Sequence, residues 1–199
     1  MRLADHARRL NLASGRTDLP PLILMSDARR LPDPSPVALT LPRGAAVLVR
    51  HGNPDERRAL VERVAPLCRA RELRLIVADD LALASEAGAF GLHLPESTAA
   101  CADALRLRRS WKGPMLSVAA HSPRALKRAA ELGADAALVS PVFATQSHPE
   151  REAIGVMRFL AWCRTAPLPV YALGGITAAN AGRLSGARLV GIAGIGGFV

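Results

Sequence analysis

Short apolar runs recur along the whole chain, with stretches of helical character between them. The runs lack the apolar–polar alternation of a half-exposed strand, so burial on both faces of a parallel sheet explains them better. Strands are predicted at residues 22–25, 46–49, 73–78, 91–94, 115–120, 136–142, 170–173 and 189–195. Helices are predicted at residues 54–71, 81–87, 99–110, 123–132, 155–164 and 178–184.

This alternation is typical of parallel α/β proteins, and eight strands are the number that closes a (β/α)8 barrel. At 199 residues the barrel must be trimmed. Between the first two strands, prolines oppose a regular helix, although residues 37–41 suit a short turn. After the last strand the sequence stops at "GIGGFV", without an eighth outer helix. We predict a single-domain trimmed TIM barrel; an open doubly wound sheet is disfavoured because no Gly-x-Gly-x-x-Gly turn follows the first strand.

Residues 1–19 are basic but lack the apolar centre of a secretory signal, and they predict a short N-terminal surface helix. No apolar run approaches the roughly 20 residues that span a membrane, so a cytoplasmic location is expected. The net charge is +9, and the arginines that supply it are spread over many segments. Such a charge is compatible with nucleic acid, an acidic membrane surface or anionic metabolites as partners. Because no basic run is interleaved with aromatics, which are only 4% of the chain, a solvated arginine-rich surface is favoured over nucleic-acid binding, and neither nucleic acid nor a membrane is expected as a partner. A homodimer is among the assemblies left open.

Barrels of this kind bind ligands at the carboxyl ends of their strands. Polar residues and glycines, which buried strands otherwise avoid, are enriched at those positions in this chain. They are Ser26 and Asp27, Arg50 and His51, Asp79 and Asp80, His93 and Glu96, His121 and Ser122, residues 145–148, Gly174 and Gly175, and residues 194–197.

The segments "ALGGIT" and "GIAGIGG" end the seventh and eighth strands, where barrels frequently bind phosphate. Glycines there let backbone N–H groups approach an anion closely. Gly174, Gly175, Gly194 and Gly196 are therefore predicted phosphate-binding residues. The alternative is that these glycines only permit tight turns.

Asp79 and Asp80 suit a hard divalent cation such as Mg²⁺, since carboxylate oxygens are its preferred ligands. Alternatively, Asp80 caps the helix that begins after it. Arg50 suits a phosphate clamp, or else a salt bridge to Asp80. His93, His121 and His148 fall on the same rim, and imidazoles there suit proton transfer.

Several segments together resemble the thiamin phosphate synthase and thiazole tautomerase superfamily over residues 22–198. They are "MSD", "VLVR", "ADDLALASEAGAFGLHL", "VAAHSPRALKRAAELGADAALVSPVFATQSHP", "PVYALGGIT" and "GIAGIGG". The fold of that family is also a trimmed (β/α)8 barrel. In the synthase, a hydroxymethylpyrimidine pyrophosphate loses pyrophosphate and is captured by the ring nitrogen of a thiazole phosphate.

The resemblance implies roles for individual residues. Arg50 matches an arginine that acts with magnesium on the pyrophosphate, and Asp80, beside Asp79, matches a magnesium aspartate. Thr145 and Ser147 match hydroxyls that meet the thiazole phosphate and pyrophosphate. The phosphate-binding glycine pair and the second half of that site match Gly174, Gly175 and residues 194–197.

The chain also departs from the family pattern. It lacks two of the family's lysines and one of its metal-binding carboxylates. The residues at the changed positions are Leu48, Gly52, Thr98, Ala119 and His148. Losing these charges should weaken stabilisation of departing pyrophosphate. The open functions are therefore a divergent synthase, a tautomerase-like enzyme that transfers protons through His121 or His148, and a non-catalytic phosphate-ligand-binding module.

Overall fold

The computed structural model describes residues 2–145, 152–185 and 188–198, and its eight strands form a closed parallel barrel. Strand order follows the sequence, and β8 pairs with β1 to close the ring. The predicted single-domain (β/α)8 barrel is therefore confirmed. The strands are β1 Leu22–Met25, β2 Ala46–Val49, β3 Arg74–Ala78, β4 Gly91–Leu94, β5 Met115–Ala120, β6 Ala136–Val139, β7 Val170–Leu173 and β8 Leu189–Gly194.

The strands are mostly apolar on both faces because one face fills the barrel and the other carries the helices. On β1, Ile23 and Met25 belong to the interior cluster, whereas Leu22 and Leu24 pack in the outer layer. The same alternation around the ring explains the near-continuous apolar runs of the sequence. This alternation also determines which side chains at the carboxyl ends of the strands point into the barrel.

Helices cover the outside of the barrel, and side chains fix where several of them begin. Asn53, Asp80 and Ser122 accept hydrogen bonds from backbone amides in the first turns of α3, α4 and α7. The helices are α1 Leu3–Ser14, α2 Ser35–Ala38, α3 Pro54–Ala70, α4 Leu81–Glu86, α5 Glu96–Ala99, α6 Ala104–Ser110, α7 Pro123–Glu131 and α8 Val156–Thr165.

Three elements differ from the sequence prediction. Strand β6 ends at Val139, because Pro141 follows and cannot donate to a strand ladder. The helix predicted at 99–110 is two shorter helices, α5 and α6. The helix predicted at 178–184 is only a 3₁₀ turn, Ala181–Arg183, preceded by a loop in which Asn180 bonds back to Gly175.

Helix α1, within the predicted N-terminal segment 1–19, packs against β8 and β1 on the outside of the barrel. Leu3, Ala7 and Leu10 are buried there. The amide of Asn11 donates to the carbonyls of Arg16, Leu19 and Val190 at 3.0, 3.1 and 3.2 Å. This helix therefore covers the outer face of β8 and β1. In the described part of the chain, no helix has the length and apolarity to cross a membrane.

Candidate active site

A cleft of about 750 Å³ opens at the carboxyl ends of the strands. Its floor is made by the last inward-pointing residues of the strands, such as Met25, Ala78 and Leu173. Its rim is made by the loops that follow. The polar and charged residues that line it are Asp27, Arg50, His51, Arg57, Asp79, His93, Glu96, Ser97, His121, Ser140 and Thr145.

Asp27 and Arg50 form an ion pair on the β1–β2 side of the cleft. Arg50 Nη2 donates to Asp27 Oδ2 at 2.8 Å. The other oxygen of Asp27 accepts from the backbone amides of Arg29 and Arg30 at 3.2 and 3.1 Å. Partial burial opposes ionisation, but these amides and the Arg50 charge outweigh it and lower the pKa of Asp27. A ligand anion at Arg50 would therefore share the guanidinium with an ionised carboxylate.

Both carboxylate oxygens of Asp80 are engaged within the protein. Oδ1 accepts from the backbone amide of Leu83 at 2.9 Å, which caps α4 as the alternative interpretation expected. Oδ2 lies 3.3 Å from Arg57 Nη2. The salt bridge between Arg50 and Asp80 that the sequence left open does not form, because Arg50 pairs with Asp27. Asp80 pairs with Arg57 instead.

Asp79 differs from its neighbour in exposure and partner. Its backbone is left-handed, with φ of 53°, and its side chain is exposed at the cleft. Thr98 Oγ1 donates to Asp79 Oδ1 at 2.9 Å. A hydroxyl from α5 thus contacts one oxygen, and the other accepts no hydrogen bond from the residues that the structure describes.

His93 is a buried imidazole on the inner wall of the barrel. In the register between β4 and β5 it is paired with Ser117, and its Nδ1 lies 2.9 Å from Ser117 Oγ. Burial penalises the charged ring, and the charge of Arg50 adds to the effect, so the pKa of His93 falls to about 3. The ring is therefore neutral near neutral pH.

His121 is exposed at the rim and has a defined tautomer. Its Nδ1 lies 2.8 Å from the carbonyl oxygen of Ser140, which can only accept, so Nδ1 carries the proton. In the neutral ring, Nε2 is then the basic nitrogen. The backbone amide of His121 donates to Glu96 Oε2 at 3.0 Å, and Arg128 holds the other oxygen of Glu96 at 2.8 Å.

The glycine pair after β7 lies against the segment that follows β6. A methyl group at Gly174, where φ is 98°, would lie 2.9 Å from Pro141 Cα. At Gly175, where φ is 65°, it would collide with the carbonyl oxygen of Ala144. Close packing therefore requires both glycines, and of the two only Gly174 lines the cleft. Thr145 lines the cleft beside this segment.

Among the described residues after β8, Ile195 lines the cleft and its neighbours Gly194 and Gly196 do not. A methyl group at Gly194 would meet the Phe198 ring at 3.3 Å, and one at Gly196 would meet Arg30 Nη2 at 3.7 Å. Arg30 therefore reaches the predicted phosphate turn from the loop after β1. Ser147 and His148, the other predicted site residues of the β6 loop, lie outside the described residues.

The sequence profile of the thiamine monophosphate synthase family matches residues 37–198, most of the chain. The chain belongs to this family. The thiamine-phosphate synthase of Bordetella avium is 34% identical over 161 residues, covering 75% of this chain and 71% of that protein. The thiamine-phosphate synthase of a Synechococcus species is 33% identical over 145 residues, covering 72% of this chain and 40% of that protein. Other thiamine-phosphate synthases are matched over 56–64% of their own length, so the chain spans less than two thirds of several of its relatives.

Solved structures extend the family likeness to the fold. The thiamine phosphate pyrophosphorylase from Pyrococcus furiosus superposes with a TM-score of 0.69 at 22% identity, covering 86% of this chain and 83% of that one. The 2-keto-3-deoxy-6-phosphogluconate aldolase of Zymomonas mobilis gives a TM-score of 0.62 at 16% identity, covering 97% and 86%. At these identities the likeness concerns the barrel and not the chemistry.

The family resemblance implies magnesium at Asp79 and Asp80, and the geometry tests this fit. Magnesium is usually held by one or two carboxylates together with waters and phosphate oxygens. Each oxygen of Asp80 already has a partner in the protein, the Leu83 amide or Arg57, so a metal ion there would compete with the Arg57 guanidinium. No cluster of three potential metal-ligating side chains occurs within residues 2–145, 152–185 and 188–198. The donors described do not fit an ion held jointly by the two aspartates, and the magnesium site stays a prediction.

Arg57 and Ser117 are two functional candidates that sequence reasoning missed. Ser117 lies inside an apolar strand, and only the register with β4 brings it to His93. Arg57 looked like a surface residue of α3, one of a pair with Arg58. The available signal was its place four residues after the helix cap Asn53, in a helix that begins at the rim.

Proposed function

We propose that this protein acts in thiamin biosynthesis, binding a thiazole phosphate in the cleft and joining it to hydroxymethylpyrimidine pyrophosphate. One observation carries the proposal. Three residues that match the family pattern, Arg50, Thr145 and Gly174, come from three different strand ends and line one cleft. Asp79, the neighbour of the matching Asp80, lines the same cleft. Family membership over residues 37–198 supports the choice of substrates.

In the proposed reaction, the bond between the pyrimidine methylene carbon and the pyrophosphate oxygen breaks, and the oxygen keeps the electron pair. The thiazole nitrogen then gives its lone pair to the carbon, forming the new C–N bond. The departing anion needs positive charge where it develops. Arg50 and Arg57, both at the cleft, are the side chains to which we assign that role.

A second candidate is proton transfer on a thiazole carboxylate phosphate, as in the tautomerase branch of the family. The tautomer of His121 favours it, since the Ser140 carbonyl leaves Nε2 basic at the cleft. In that reaction Nε2 would take a proton from one ring position, and the same group would return it at another.

The direct test is to incubate the protein with both phosphorylated substrates and to follow thiamin phosphate and released pyrophosphate by chromatography. Parallel samples contain magnesium or EDTA, and a further sample contains only the thiazole carboxylate phosphate tautomer. Formation of thiamin phosphate with an equal amount of pyrophosphate supports the proposal. Isomerisation of the tautomer alone supports the second candidate, and binding without turnover indicates a phosphate-ligand-binding module.

A further inference from the structure

Arg57 is held at the cleft by groups of the protein itself. Its Nη1 donates to the carbonyl of His51 at 2.9 Å, and its Nη2 faces Asp80 at 3.3 Å. Only 12% of its side chain is exposed, and its Nε is buried with no partner among the described residues. A long cationic side chain that lines the cleft is thus fixed in one place.

This placement has an electrostatic consequence for Asp80. Asp80 is partly buried, with 24% of its side chain exposed, and removing a carboxylate from water is costly unless a positive charge or hydrogen bonds compensate it. The Leu83 amide and Arg57 already provide that compensation. A magnesium ion at Asp80 would have to lose part of its hydration and displace a guanidinium that the protein holds in position.

We propose that Arg57 takes the place of a divalent cation beside Asp80 and, together with Arg50, offers a fixed positive charge to a diphosphate in the cleft. Diphosphate binding then does not require magnesium. A guanidinium suits this task because it is always charged and presents several N–H donors to phosphate oxygens. The diphosphate as natural ligand rests on the proposed function, whereas the charge arrangement at Asp80 does not.

The first test is calorimetric titration of the protein with inorganic pyrophosphate, in EDTA and in millimolar magnesium. The unsubstituted protein should bind equally well in both, because its cation is built in. Arg57→Gln should lose about tenfold or more in affinity in EDTA, the value of a charged hydrogen bond. Magnesium should restore part of that loss, since Asp80 is then free to hold it.

Arg58→Gln is the matched control, since it removes the same charge from the neighbouring position of α3. Arg58 pairs with Glu86 and is 49% exposed, away from the cleft. We expect its pyrophosphate affinity to stay unchanged. Equal losses in the Arg57 and Arg58 variants would overturn the proposal, because they would indicate only the effect of overall charge.

A second variant, Asp80→Asn, distinguishes Arg57 as the cation from magnesium held by Asp80, because the two predict opposite changes in pyrophosphate affinity. Asparagine still caps α4, so the variant should fold. If Arg57 is the cation, removing the opposing charge leaves pyrophosphate binding in EDTA equal or tighter. If Asp80 holds magnesium, the same change abolishes a magnesium-dependent gain that the unsubstituted protein shows.

Titration with magnesium chloride alone provides a readout without any phosphate. The unsubstituted protein should show no binding heat from Asp80, whereas Arg57→Gln should gain a weak magnesium site, which a merely structural loss would not create. Magnesium-dependent pyrophosphate binding by the unsubstituted protein, or no pyrophosphate binding in either buffer, would overturn the inference. The turnover assay measures thiamin phosphate formation independently of these titrations. The proposed function and the proposed role of Arg57 can therefore fail separately.

Discussion

Polar side chains lie on two sides of the cleft at the end of an apolar barrel, and the two sides differ in how these side chains are paired. On one side lies a charged rim, made of Asp27, Arg50, Arg57, Asp79 and Asp80. On the other lies an imidazole rim, made of His93, Ser117, His121 and Ser140. Four of the five charged-rim residues form the ion pairs Asp27–Arg50 and Arg57–Asp80. In the imidazole rim, hydrogen bonds link His93 to Ser117 and His121 to Ser140.

The difference indicates where each kind of chemistry belongs. Because arginines already balance Asp27 and Asp80, the charged rim suits an anion that shares those arginines more than a metal ion. On the imidazole rim, burial keeps His93 neutral and a backbone carbonyl sets the tautomer of His121. That side suits proton transfer or uncharged contacts with a heterocycle.

The largest expected effect comes from breaking the charged rim at Arg50. Arg50→Gln should lower kcat/KM for thiamin phosphate formation by about 10²–10³, the usual loss for one group that stabilises developing charge. Steady-state kinetics with Arg58→Gln as the charge-matched control checks this. A loss below about threefold would show that Arg50 only pairs with Asp27 and does not stabilise the transition state.

The imidazole rim depends on the packing of the β6 segment against β7, which Gly175→Ala should disturb. The left-handed backbone and the collision with Ala144 should together cost about 2–4 kcal/mol of unfolding free energy. Gly44→Ala is the control, since its φ is also positive, at 78°, but the space beside it is open. Urea denaturation of both variants measures the difference, and equal losses would mean that packing adds nothing at Gly175.

His93 predicts a pH dependence of stability. Its folded pKa of about 3 lies below the ordinary value of 6.5, so between these values the unfolded chain binds the proton more tightly. Stability should therefore fall as the pH drops from 6.5 towards 3, with a contribution approaching about 1.4 kcal/mol per pH unit. Urea denaturation across this range should show a shallower slope for His93→Gln. An unchanged slope would contradict a buried neutral ring.

The smallest expected effect sharpens the choice between the two reactions. His121→Gln keeps a side-chain amide near the Ser140 carbonyl but removes the base. Joining should then fall by less than about tenfold, whereas tautomerisation would fall by about 10²–10⁴. Assays of both reactions on the same preparation decide it. A large loss in joining would mean that the imidazole takes part in that reaction as well.

Much of the fold could be predicted because burial on both strand faces leaves an apolar run in the sequence, as at residues 46–49. The cap at Asp80 was also predictable, since capping is local. The pairing of Asp80 with Arg57 was not, because it joins the first turn of α3 to the loop after β3. Likewise, the glycines after β7 were evident, but the close approach of Pro141 and Ala144 that requires them is a tertiary contact.

Calorimetric titration with thiazole phosphate in metal-free buffer tests most directly whether the cleft is a thiamin-pathway site. The unsubstituted protein and Arg58→Gln should bind it with equal affinity. Ala119→Leu, which adds bulk at a half-buried position lining the cleft and leaves every charged residue in place, should abolish binding. No binding by the unsubstituted protein, or full binding by Ala119→Leu, would contradict the account.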